Sequence, residues 1–99
     1  MGKTISNWCS DIHLNARNHG WWETERNIPE LLCLVHSEVS EALEAYRNSD
    51  DKNFCEELAD IVIRVFDMAE GYGIDLEAEI EKKHETNKGR PWMHGGKKC

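Results

Sequence analysis

Proline and glycine are scarce in this chain, two and seven among 99 residues, and no apolar–polar alternation of strand period occurs. With so few turn formers the sequence divides into a handful of long segments. No apolar run approaches the roughly 20 residues of a membrane span, and the N-terminal MGKTISNWCSD lacks the apolar stretch of a signal peptide, so we expect a cytoplasmic protein with no membrane partner. Positive charge is also short. Lys and Arg number 12 against 19 Asp and Glu, a net charge of -7 that disfavours nonspecific binding to nucleic acid or to an anionic lipid surface. An anionic substrate would need metal ions or a local basic patch. The length admits one domain with a modest core, 1–99, and excludes a second.

The four cysteines, Cys9, Cys33, Cys55 and Cys99, are scattered without a secretory context, which predicts free thiols. Cys9 with His13 and Cys33 with His36 have helical spacing for zinc, and Cys55 could join them, but such spacings arise easily by accident in helices. For Cys33 and Cys55 the ordinary expectation is burial as small apolar residues.

What the chain does have is helical periodicity. Ile5, Trp8, Cys9, Ile12 and Ala16 predict a first helix over about 4–19, stopped by Gly20. Asn27 and Pro29 start a second, whose apolar face runs from Leu31, Leu32, Leu34 and Val35 through Val39, Ala42, Leu43 and Tyr46 to an end near Arg47. The run 48–51 is a loop. Phe54, Leu58, Ile61, Val62, Val65, Phe66 and Ala69 mark a third helix ending at Gly71 or Gly73, and Asp75 caps a fourth that fades around 87–89. The fold class is therefore all-α.

Two acidic pairs stand out, Glu38-x-x-Glu41 in HSEVSEALEAYR and Glu57-x-x-Asp60 in EELADIVIRVFD. Residues three apart share a helix face, so each pair offers two oxygen ligands, and two packed helices could bring all four carboxylates to one hard divalent cation such as Mg²⁺. Their placement supports this. Leu31, Leu34, Glu38, Glu41 and Ala45 follow one stripe, putting the glutamates at the core's edge, while Glu57 and Asp60 adjoin Leu58 and Ile61. Carboxylates so close resist ionising together without a cation between them. On the fourth helix Leu76, Ile80, Lys83 and Asn87 form a stripe that turns from apolar to cationic, and a basic tail, 89–99, follows with Arg90 and Lys97. Phosphate contacts and a solvated helix end both suit that pattern.

From about residue 30 to 98 these segments, together with IEKKHETNKGRP and HGGKK, resemble the all-α nucleoside triphosphate pyrophosphohydrolases of the MazG-like group, related to dimeric dUTPases and dCTP pyrophosphatases. The resemblance implies a four-helix bundle-like, oligomeric fold that holds Mg²⁺, with Mn²⁺ as a substitute, through Glu38, Glu41, Glu57 and Asp60. It implies cleavage of a (d)NTP between the α and β phosphates to a monophosphate and pyrophosphate, in nucleotide-pool housekeeping. One of the four carboxylates, or a flanking acid such as Glu56, would accept the water's proton. Lys83, Asn87, Arg90 and Lys97 match the family's phosphate-side stretch. Relatives hold the base with N-terminal aromatic and histidine residues, which makes Trp21, Trp22 and His19 the candidates, each weighed against ordinary packing beneath a loop. Arg64 reads as the partner of a helical acid and His36 as structural.

Four short helices with a polar cluster at the core margin leave little apolar area for a monomer, which predicts a homodimer or larger. The resemblance implies tight dimers that sometimes pair into tetramers, with active sites near subunit interfaces where a second chain completes each pocket. Two other readings share these features: a noncatalytic nucleotide or metal sensor, and a helical interaction module whose acids are surface charge.

Overall fold

The computed structural model describes residues 2–91, and within them the chain forms four α-helices: α1 (Ile5–Asn18), α2 (Ile28–Arg47), α3 (Asp51–Gly71) and α4 (Leu76–Lys88). Local chemistry sets each start. Thr4 and Asn7 form a reciprocal capping box, the Asn7 N–H donating to Thr4 Oγ1 at 3.0 Å and the Thr4 N–H to Asn7 Oδ1 at 3.3 Å. Asn27, Asp50 and Asp75 each accept the backbone N–H three residues on, satisfying donors that the first turn leaves open. Asp51, expected in the loop, is instead the first helical residue of α3, because Asp50 is the cap. The breaks after α1 and α3 use Gly20 at φ 82° and Gly73 at φ 69°, a backbone region that penalises a side chain.

α3 is the centre of the molecule. α2 runs antiparallel to it, with Glu38 level with Arg64 and Tyr46 against Phe54 at 6.0 Å between rings. α1 packs elsewhere along α3, and α4 folds back so that Glu77 accepts the Ser6 N–H at 3.2 Å. α1 and α2 both pack on α3 without touching one another, so the space between them is open.

The core is thin. Among the described residues its buried apolar members are Cys9, Leu31, Ala42, Ala45 and Ala69, mostly small side chains where helices approach closely. Leu31, Leu34, Glu38 and Ala45 do turn one edge of α2 inward, as their stripe predicts. Much of the rest of the expected core face stays outside. Val39, Leu43, Tyr46, Leu58 and Val62 are exposed, Tyr46 to 68%, and the antiparallel register sets Val39 near Val62 and Leu43 near Leu58. The accessible area is 7820 Å² for an 11.5 kDa chain. A compact monomer of that mass exposes about 5800 Å². No helix among the described residues is long and apolar enough to cross a membrane.

Candidate active site

The acidic pairs meet where α2 crosses α3. Glu38, Glu41 and Glu57 each bring a carboxylate oxygen within 4.8 Å of the others. Glu57 is 9% exposed, and its Oε2 is buried without a hydrogen-bond partner. A buried acceptor facing two further carboxylates fits a hard divalent cation, which takes oxygen ligands. Asp60 stands outside this trio, exposed and one turn along α3, on the wall of the adjoining cleft.

Crowding moves Glu57 and Glu38 in opposite directions. The hydrogen bond shared with Glu38 acts first on Glu57, followed by burial and by Glu41, raising its pKa to about 7. Burial works against the Glu38 charge, but hydrogen bonds from Arg64 and from Glu57 outweigh it and hold Glu38 below the usual carboxylate range. Arg64 Nε donates to Glu38 Oε1 at 3.0 Å. Near neutral pH Glu57 therefore keeps a proton in part while Glu38 is ionised.

Beside the trio lies a cleft of about 830 Å³ between α1, α2 and α3, floored by Ile63 and Arg64 and bounded by Glu38 and Asp60 at one end. The connection between α1 and α2 closes its side. Arg26 Nε donates to the Trp21 carbonyl at 2.9 Å, its guanidinium stacks on the Trp21 ring at 3.7 Å, and its far end pairs with Glu30 at 3.2 Å. Arg64 lies 5.6 Å from the same ring, which puts Trp21 between two cations.

Trp22 points the other way. Its indole N–H donates to both oxygens of Asp67, at 3.0 and 3.2 Å, and Asp67 Oδ1 also bonds His13 Nδ1 at 2.8 Å. The ring meets His13 and Tyr72 edge-on at 5.1 and 6.0 Å, and the Tyr72 hydroxyl donates to the Arg26 carbonyl at 3.1 Å. This knot ties α1, the α1–α2 connection and α3 together around an 8%-exposed carboxylate. It fixes Trp21 over the cleft.

The sequence candidates thus separate. Glu38, Asp60, Trp21 and His19 line the cleft, Glu41 and Glu57 lie at its carboxylate end, and Trp22 is turned into the helix packing. Lys83, Asn87 and Arg90 are exposed on or just past α4, and none lines the cleft. Lys97 falls outside the described residues. Cys33 and Cys55 are exposed where burial was expected, and His13, a notional zinc ligand with Cys9, is committed to Asp67. Among the described residues the one convergent ligand set is the glutamate trio.

Sequence reasoning missed Arg26, Asn15 and Asp67 as parts of this region, and left Arg64 as a mere ion-pair partner. Arg64 does pair with Glu38, yet it also floors the cleft, one third exposed, and only its Nε is hydrogen-bonded among the described residues. Its position four residues after Asp60, on the same face of α3, was the available signal.

Residues 26–93, more than half of the chain, match the family described as the MazG nucleotide pyrophosphohydrolase domain. No curated protein and no solved structure matches the chain.

Proposed function

The chain belongs to the MazG nucleotide pyrophosphohydrolase family, and from that premise we propose that it is a Mg²⁺-dependent hydrolase converting (d)NTP and water to (d)NMP and pyrophosphate, in keeping nucleotide pools in order. The observation that carries this reading is the glutamate trio opening onto a cleft of nucleotide size whose inner wall holds a stacked tryptophan and an arginine with free donors.

Glu38, Glu41 and Glu57 would hold the cation, with Asp60 beside them toward the cleft. When bound, such an ion neutralises triphosphate charge and lowers the pKa of attacking water. The protein's own contribution is positioning. Arg64, with the ends of its guanidinium unpaired among the described residues, would reach the α-phosphate beside the carboxylates, as a planar fork suits phosphate oxygens. The negative charge developing on the leaving group is met by further cations, and Lys83, Asn87, Arg90 and Lys97 are the candidates. Since the first three do not line their own chain's cleft, a second copy supplies them.

That second copy docks on the exposed Val39, Leu43, Tyr46, Leu58 and Val62 face, continuous across α2 and α3. Pairing there gives a homodimer whose two α2–α3 units complete a bundle that a single chain leaves open. The base enters the cleft against Trp21, with His19 also lining it, while Trp22 supports from behind.

The test is hydrolysis of a panel of ribo- and deoxynucleoside triphosphates in Mg²⁺ and in EDTA, with products resolved by anion exchange. Monophosphate plus pyrophosphate, lost in EDTA and lost in Glu41→Gln with the fold retained by circular dichroism, is the expected result. Diphosphate plus phosphate, or no turnover with any substrate, overturns it.

A further inference from the structure

α1 lays two parallel stripes into the cleft. Trp8, Ile12 and Ala16 make an apolar one, and Asp11, Asn15 and His19, spaced by four, make a polar one beside it. Because α1 runs antiparallel to α3, with His13 level with Asp67 and Cys9 beside Glu70, His19 is level with the Asp60 end of the cleft, and Asn15 and then Asp11 lie progressively farther from it. They belong to the end of the cleft away from the carboxylates. α1 also precedes the segment matched by the family, which begins at residue 26.

The polar stripe is unequal in what it offers. Asp11 is acceptor-only; Lys3 takes Oδ2 and leaves Oδ1. His19 Nδ1 lies 2.8 Å from the Asn15 carbonyl, which can only accept, so this nitrogen carries the hydrogen and Nε2 of the neutral ring is an acceptor. Asn15 donates through its amide nitrogen and accepts through its amide oxygen, and its side chain has no hydrogen-bond partner among the described residues. One fixed acceptor, Asp11, and the Nε2 of the neutral His19 ring thus flank one amide. A base with an exocyclic amino group next to a ring nitrogen meets this pattern: the amino hydrogens go to Asp11 or His19 and the Watson–Crick ring nitrogen accepts from the Asn15 amide. Uracil and hypoxanthine place a carbonyl oxygen where the amino group would be, facing acceptors, with the ring nitrogen now a competing donor.

We propose that this stripe makes the cleft selective for amino-bearing bases, cytosine and adenine, over their oxo counterparts uracil and hypoxanthine. The inference rests on the cleft being the nucleotide site of the proposed hydrolase. Since the three side chains are exposed, water competes and the discrimination is about tenfold rather than the far larger ratios of a sealed pocket.

The experiment compares CTP with UTP and ATP with ITP, each pair differing at this edge alone, by kcat/KM on the full chain with Mg²⁺. It also compares CMP with UMP by tryptophan fluorescence, which needs no turnover. About a tenfold preference for the amino member in each pair, falling toward one in Asn15→Leu through loss on the amino member alone, is expected; an unchanged melting transition of that variant shows that it folds. Equal kcat/KM within each pair refutes the selectivity while leaving the hydrolase intact. Absence of all turnover with a retained CMP-over-UMP preference refutes the hydrolase and leaves the selectivity. A preference that survives Asn15→Leu unchanged places the reading elsewhere and overturns the assignment to this stripe.

Discussion

Replacing Gly71 by alanine sets two opposed effects against each other, and the structure decides between them. Gly71 closes α3 with ordinary helical backbone, so a methyl group there should add helix propensity, up to about 1 kcal/mol in a helix interior and less at a final residue. Its Cβ, however, would lie 2.7 and 2.8 Å from Cη2 and Cζ2 of Trp22 and 3.3 Å from Cε1 of His13. Ordinary carbon contacts need about 3.5–4.0 Å, so the indole must retreat by roughly 1 Å. It has little freedom to do so, being pinned through its N–H to Asp67 and wedged between His13 and Tyr72. Overpacking of this kind costs about 1–3 kcal/mol, and stretching a bond to a buried carboxylate adds to it. The expected net effect is destabilisation by about 1–3 kcal/mol. Urea unfolding followed by circular dichroism, at one protein concentration so that any association weighs equally on both variants, measures it. In a Trp22→Phe background the outer ring is gone, and Gly71→Ala should become neutral or stabilising, a coupling of at least about 1 kcal/mol. A stabilised Gly71→Ala in the original background, or the same cost in both, would show that Trp22 is not held as described.

Three further outcomes follow from the site and its surroundings. With Glu57 raised to about 7 by its neighbours, the folded metal-free protein binds a proton that the unfolded chain, titrating near 4.5, has released. Stability in EDTA should therefore fall as pH rises from about 5 to 7.5, with Mg²⁺ reversing the fall and Glu57→Gln abolishing the slope; a flat profile would contradict the proton kept by Glu57. Glu38, shifted the opposite way, acts only below its ordinary range, outside that window. Arg64→Ala should lower kcat/KM by about 10–100-fold, the worth of one charged hydrogen bond to phosphate, while Mn²⁺ binding by calorimetry is kept or strengthened because Glu38 is freed. Unchanged kcat/KM would remove Arg64 from the substrate. Leu43→Glu, placed on the exposed α2–α3 face, should shift sedimentation from dimer to monomer, and a wild-type chain that sediments as a monomer at all concentrations would refute that face as the interface.

How much of this was legible beforehand depends on the range of the interaction. Caps act within three residues, so Asn27, Asp75 and the break at Gly20 could be read directly, and the helix limits followed to within a residue or two. The carboxylates were legible as pairs because spacing fixes which residues share a face. Residues three apart are nevertheless about 60° apart around the helix axis, so only one member of the α3 pair can face α2 squarely. Glu57 occupies that direction with the longer side chain, and Asp60 turns to the cleft. Periodicity also marked Val39, Leu43, Leu58 and Val62 as apolar without saying what covers them. A hydrophobic stripe specifies a buried face, not whether the cover comes from the same chain, and here none of the described residues supplies it.

The tryptophan pair shows where sequence reading runs out. Trp21 and Trp22 are adjacent and chemically identical, and no local rule assigns one to the cleft and the other to the packing. Their separation is decided by Asp67, 45 residues from Trp22, and His13, 54 residues from Asp67, which capture one indole N–H in a buried pocket. The chain between Gly20 and Asn27 then has few ways to run, and Arg26 stacks on Trp21, the one left at the surface. The packed tryptophan thus sets the position of the one that lines the cleft. Changes at His13, Asp67 or Gly71, none of which lines the cleft except Asp67, should reach the base through the backbone of this turn. Weakening of nucleotide binding by such changes would accordingly track their loss of stability, whereas changes at Trp21 would weaken binding without destabilising the fold.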